Sequence, residues 1–312
     1  MIKYSSFVLS FFFLLSSCQL FNNNVRKRTS YGARPARAKS QNEAFNPVKK
    51  KIVLLPFFNE SPFGGEDLAV VATEEFRREL SRTRDYSFDS SGLSLFGNSK
   101  QIYSGGGVKL GQLARKAKLS GINLVIYGRI IKAKVRQRSD EIGLVRKTKS
   151  HADSVVEIRI YDVHSNKEIY NEKMSGDIND DTLRFYMDDK EANLTYRQDI
   201  LRYSIKVAIR RFIPKIIDLG DKLDWTGRVA KILGNKIYLN AGRESGINIG
   251  DILKVITEGS EIYDPETGAM IGMSKGHVKG TLEVVDFFGP DGAVAILHSG
   301  GSVTEGDFVQ LY

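Results

Sequence analysis

Few of this chain's reactive side chains fall into patterns that do chemistry. Its four histidines, His151, His164, His277 and His298, never pair at helical spacing, and its one cysteine is Cys18. A zinc centre of mixed thiolate and imidazole ligands therefore has no basis, and no disulfide can form within one molecule. Gly105-Gly106-Gly107-Val108-Lys109-Leu110-Gly111 is glycine-rich but lacks the Gly-Lys-Ser/Thr ending that cradles phosphate, so it reads as a mobile loop. Asp177, Asp180, Asp181, Asp188 and Asp189 could attract a hard cation, yet the glycine and closing glutamate of a calcium loop are missing. A solvated acidic loop is the plainer reading. There is no Gly-x-Ser-x-Gly elbow, and nothing forces two carboxylates together at glycosidase spacing. The expectation is a protein that is not an enzyme and carries no cofactor or metal.

One charge pattern stands out. Lys132, Lys134, Arg136, Arg138, Arg146, Lys147 and Lys149 crowd one segment, with the acids Asp180, Asp181, Asp188 and Asp189 following in the next. Such cations can engage phosphate, but aromatics for base stacking are scarce there, so nucleic acid is not expected. Opposite charge on a second protein surface suits them better, and both groups are expected at a protein interface.

The amino terminus sets the compartment. Lys3 precedes the apolar run Phe7 to Leu15, which is too short for a mature span and so reads as a removable signal peptide over residues 1–17. Leu15-Ser16-Ser17-Cys18 resembles the lipobox of bacterial lipoproteins. The resemblance implies cleavage before Cys18, diacylglycerol on its sulfur and, because Gln19 is not an aspartate, the periplasmic face of the outer membrane. Two or three acyl chains anchor firmly where one does not.

Residues 18–50 read as a flexible tether with Asn22-Asn23-Asn24, Pro35 and Pro47. From Leu20 to Lys51 nine cations face the single anion Glu43, whereas Ile52 to Tyr312 holds 36 of each sign. The basic excess therefore sits beside the anchor, where lipid headgroups or peptidoglycan carboxylates can meet it.

The remaining chain, about 260 residues, suffices for two domains. In the first, over 51–220, Ile52 to Phe57 reads as a central strand and Leu68, Val71, Ala72, Phe76 and Leu80 as the inner face of a helix capped by Asp67. Tyr86 to Gly107 reads as a strand and a flexible connection. A second helix carries Leu110, Leu113, Ala114 and Ala117, a strand spans Ile122 to Ile131, and a hairpin turns at His164 to Lys167. A last helix runs from about Asp199 to Asp218, kinked or ended by Pro214. Over 223–312 short strands separated by glycines predict a small β-barrel. The expected fold is thus an α/β (or α+β) domain with a central sheet and amphipathic helices, followed by a small all-β barrel.

Ile52 to Asn59, Gly121 to Ile130 and the strand-turn-strand from Val155 to Tyr170, most specifically Val156-Glu157-Ile158-Arg159-Ile160-Tyr161-Asp162-Val163, together resemble the fold shared by the curli secretion channel subunit, the amino-terminal domain of the Tol translocation protein B and the middle domain of flagellar assembly protein T. Ile237 to Gly242, Gly250-Asp251 and Asp264 to Gly268 resemble the carboxy-terminal barrel of the flagellar protein. The resemblance spans about Lys51 to Tyr312 and implies an architectural role. No separate domain is expected before the first one, as the flagellar protein has, and lipidation is a trait of the curli subunit instead. A curli-type pore would need strands with an apolar lipid face, which neither Lys132 to Ser150 nor the acidic excursion after Asp177 supplies.

The expected function is a noncatalytic, outer-membrane-anchored scaffold or ring component of an envelope machine, the flagellar basal body being one candidate. A regulator of peptidoglycan synthesis or a secretion accessory is the alternative, and a cell-wall enzyme comes third. Expected partners are membrane lipid through Cys18 and envelope or flagellar proteins. A homo-oligomer and contact with peptidoglycan are open to it.

Overall fold

The computed structural model describes residues 48–139, 148–179, 194–274 and 276–312. Cys18, the signal segment and nearly all of the tether lie outside them, as do Arg146, Lys147, Asp180, Asp181, Asp188 and Asp189.

Strand β1 (Lys50–Leu54) serves two cores: Ile52 and Leu54 face one, Val53 the other. Its apolar residues run without a break because helices cover both sides of the sheet. Strand β2 (Phe58–Asn59) is a two-residue neighbour of β4 (Leu124–Ser139). On either side of β1, β3 (Tyr86–Phe88) and β4 run parallel to it, and the sheet continues antiparallel through β5 (Thr148–Asp162) to β6 (Lys167–Asn179). Helices α1 (Gly65–Ser81) and α4 (Leu194–Lys222) pack on one face, α2 (Ser91–Phe96) and α3 (Ser99–Leu119) on the other. Phe76 of α1 and Phe212 of α4 are fully buried in the same core; each such side chain contributes about 1.5–3 kcal/mol.

Several elements differ from expectation for identifiable reasons. The glycine-rich segment after Phe96 is helix, not loop: Asn98 and Gln101 form a capping box at the start of α3, and Ile102 anchors its first turn in the core. Gly64, with φ at +80°, caps α1 in place of Asp67, whose carboxylate instead accepts from Arg202 of α4 at 2.6 Å. Helix α4 begins before Asp199 and passes through Pro214 without ending, since burial of Ile209, Phe212 and Ile216 holds both of its halves on the sheet. Strand β4 extends well past Ile131, through the cationic segment.

The second part closes as expected. Strands β7 (Gly227–Leu233), β8 (Lys236–Leu239), β9 (Ile252–Ile256), β12 (Val278–Phe288), β13 (Gly292–Gly300) and β14 (Phe308–Leu311) form a six-stranded antiparallel barrel in the order β12-β13-β8-β7-β14-β9. A Cβ on Gly242 would come within 2.6 Å of the Gly292 carbonyl oxygen, so the barrel's turn before Ser245 needs a residue without a side chain. Between β9 and β12, β10 (Glu261–Tyr263) and β11 (Met270–Met273) pair as a separate two-stranded arm.

Candidate functional site

Two surfaces concentrate polar chemistry. The first is the far half of the β4–β5 hairpin. Beyond a bulge between Ile130 and Lys132, Lys132, Lys134 and Arg136 alternate with Ala133 and Val135. Ala133 and Val135 join the core beneath α4, so the cations stand on the opposite, solvent-exposed face. Lys134 lies directly across from Asp153 in the register. The Asp153 carboxylate takes Lys132 at 2.5 Å and Arg136 at 3.4 Å. Part of the expected interface charge is thus neutralised within the chain. Arg138 belongs to β4, and Lys149 is exposed on β5. The described residues bring Lys132, Lys134 and Arg136 together; the acids expected to complement them fall outside the description.

The second surface was not singled out from the sequence. On the α3 side of the sheet, Tyr127 and Arg129 of β4 stand beside Glu157, Arg159 and Tyr161 of β5. Arg129 Nε donates to Glu157 at 2.5 Å and Arg159 Nη2 to the other Glu157 oxygen at 3.1 Å. Burial alone would raise the Glu157 carboxyl, but the two guanidiniums outweigh it and hold its pKa below the ordinary range. Tyr103, from α3, lies between them, its ring 4.6 Å from the Arg129 guanidinium and 4.8 Å from that of Arg159. Tyr127 donates to Glu168 at 2.7 Å, and Tyr161 to the side-chain oxygen of Asn166 at 2.5 Å. Burial pushes the Tyr161 phenol up to about 12 and those of Tyr103 and Tyr127 higher still, so all three are neutral donors at physiological pH. Between these strands and α3 lies a half-open cavity of about 510 Å³.

Glu157 is held ionised by two cations and is poorly placed to shuttle protons. Among the described residues no group of three His, Cys, Asp or Glu side chains could hold a metal ion. The sequence does carry a signal for the cluster: Glu157, Arg159 and Tyr161 alternate with the apolar Val156, Ile158 and Ile160, so a polar row occurs on a strand whose two faces are both covered. The expected histidine turn is present, but His164 points to the barrel, edge-on to Phe308 with ring centroids 4.7 Å apart.

Among the described residues no helix is long and apolar enough to cross a membrane. No known protein family matches the sequence, and no curated protein does so either. Solved structures give distant likenesses. A hypothetical protein of Chlamydia trachomatis aligns at 17% identity over 55% of this chain and 95% of its own, with a TM-score of 0.32. A lipoprotein of Neisseria meningitidis aligns at 14% identity over 54% of this chain and 99% of its own, with a TM-score of 0.31. The carboxy-terminal domain of LpoB from Salmonella enterica aligns at 14% identity over 41% of this chain and 83% of its own, with a TM-score of 0.27.

Proposed function

We propose that this chain is a lipid-anchored protein of the bacterial envelope that works by holding a protein partner, as a regulator or accessory of cell-wall synthesis or secretion, without making or breaking bonds. The signal segment and Cys18 supply the anchor in this reading, at the periplasmic face of the outer membrane. The observation that carries it is the open face of the β4–β5 hairpin. Lys134 and its neighbours are exposed there on strands backed by the α4 core, a stiff charged surface on which a partner of opposite sign can be steered and seated. A scaffold or ring role in the flagellar basal body is the second reading, favoured by the order of an α/β part followed by a small closed barrel.

Capture of the native, membrane-bound protein with identification of its companions tests both. Cell-wall synthases or a secretion apparatus are expected, and flagellar ring proteins would move the assignment to the second reading. Replacing Lys134 and Arg136 together by glutamate should weaken capture at low salt by about tenfold or more. Capture unchanged by that reversal, or turnover of cell-wall glycan by the purified chain, would overturn the proposal.

A further inference from the structure

We propose that the cavity between α3 and the β4–β5–β6 sheet is a binding site for an uncharged carbohydrate of one or two sugar rings. Its volume of about 510 Å³ lies in the range of small-molecule sites, and its wall combines tyrosine rings with both donors and acceptors. The aromatic part is the half-buried Tyr103 with the buried Tyr127 and Tyr161 beside it, whose phenol oxygens can hydrogen-bond a sugar hydroxyl. The polar part is Arg159, Lys167 and Glu168. The Lys167 ammonium rests on the Ile271 carbonyl of the β10–β11 arm, a contact that a ligand oxygen can share.

Charge selects among polar ligands. Arg159, Lys167 and the adjoining Arg129 are matched by Glu168, Glu157 and Glu60, which pairs with Arg129 at 3.0 Å. A phosphate or carboxylate would meet as many anions as cations, whereas neutral hydroxyls can use either kind of partner.

Gly111 adds an independent indication. It sits inside α3, where glycine costs about 1 kcal/mol relative to alanine. Yet a Cβ there would meet only Asn166 at 3.6 Å and the Tyr161 hydroxyl at 3.8 Å, ordinary contacts. Packing does not demand the glycine. Its missing side chain keeps the cavity wall open.

Saturation-transfer NMR on the full chain tests the site, with di-N-acetylchitobiose, maltose, glucose 6-phosphate and benzoate as separate probes. Transfer to the ring protons of either disaccharide is expected, the stronger of the two distinguishing an amino-sugar from a plain glucan source. Gly111→Leu should abolish transfer while leaving thermal stability equal or higher, and Tyr103→Ala should weaken binding about tenfold, with Tyr103→Phe retaining it. Lys236→Ala, on the exposed β8 of the barrel, should leave transfer unchanged. Absence of transfer to both disaccharides, transfer that survives Gly111→Leu, or preference for glucose 6-phosphate or benzoate would each overturn the inference. Because partner capture is read separately, a Gly111→Leu chain that still captures its partner leaves the proposed function standing whatever the sugar result.

Discussion

Glu157 and His164 show how a single buried titratable group ties this fold to pH. Glu157 is 2% exposed and bridges two guanidiniums that are themselves partly solvated, 24% and 28% exposed. Removing it leaves Arg129 with only Glu60 at 3.0 Å and Arg159 with only Glu168 at 3.6 Å, and Glu157→Ala should cost about 2 kcal/mol in chemical denaturation. Since its folded pKa is depressed, the unfolded chain takes up a proton first. Its stabilisation is present above the free carboxyl's ordinary value of 4.5 and is lost as pH falls through the folded value.

His164 acts in a higher window. Burial lowers its pKa below the ordinary 6.5, Lys118 adds to the effect, and Asp162, Glu258 and Asp224 oppose it. Below about pH 6.5 the unfolded chain therefore binds a proton that the folded chain refuses, and stability declines as pH falls. Urea midpoints measured from pH 7.5 to 5.5 should drop in the native chain and flatten in His164→Phe. An equal slope in both would assign the effect elsewhere.

Among the elements, β6 and α4 approach more closely than any side chain allows. A Cβ on Gly176 would lie 1.9 Å from the Ser204 carbonyl oxygen and 2.8 Å from the Ala208 amide nitrogen, both backbone atoms of the helix. Gly176→Ala must push the helix off the strand, and a loss of about 2 kcal/mol or more is expected by thermal melting. The start of α3 is set by a different force. Asn98 accepts from the Gln101 amide at 3.0 Å, while the Gln101 side chain takes the Asn98 amide at 3.4 Å. Asn98→Ala should cost about 1 kcal/mol and raise hydrogen exchange in the first turn of α3 before it affects α4.

Across the whole molecule, a few polar side chains join the sheet to the barrel. Asn123 accepts from the Lys51 amide at 2.8 Å and donates to the Thr226 carbonyl at 2.9 Å. The Asp291 carboxylate gathers the amides of Gly242 and Ser245, the Ser245 hydroxyl at 2.7 Å and the Lys51 ammonium at 3.0 Å. Asp291→Ala leaves these donors without their acceptor and should cost about 3 kcal/mol. Combined with Asn123→Ala, it should split unfolding into two steps. Trp225, the sole tryptophan and a member of the barrel core, reports one by fluorescence, and helical circular dichroism reports the other. A single coincident transition in the double variant would show that apolar contact alone couples the two parts.

The sequence determined the elements whose signal is local. An unbroken apolar run placed β1 and a helical apolar repeat placed α1 near their observed bounds, because burial writes its pattern directly into neighbouring residues. It could not assign the segment from Ser99 to Gly107, where low propensity is overridden by a capping box and by the docking of Ile102. Nor could it find the tyrosine and arginine cleft, whose members come from α3, β4, β5 and β6 and meet only through strand register and helix packing. Composition and charge were additive along the chain and so readable at once. The cavity was decided by tertiary structure, because its walls depend on contacts between residues that are far apart in sequence.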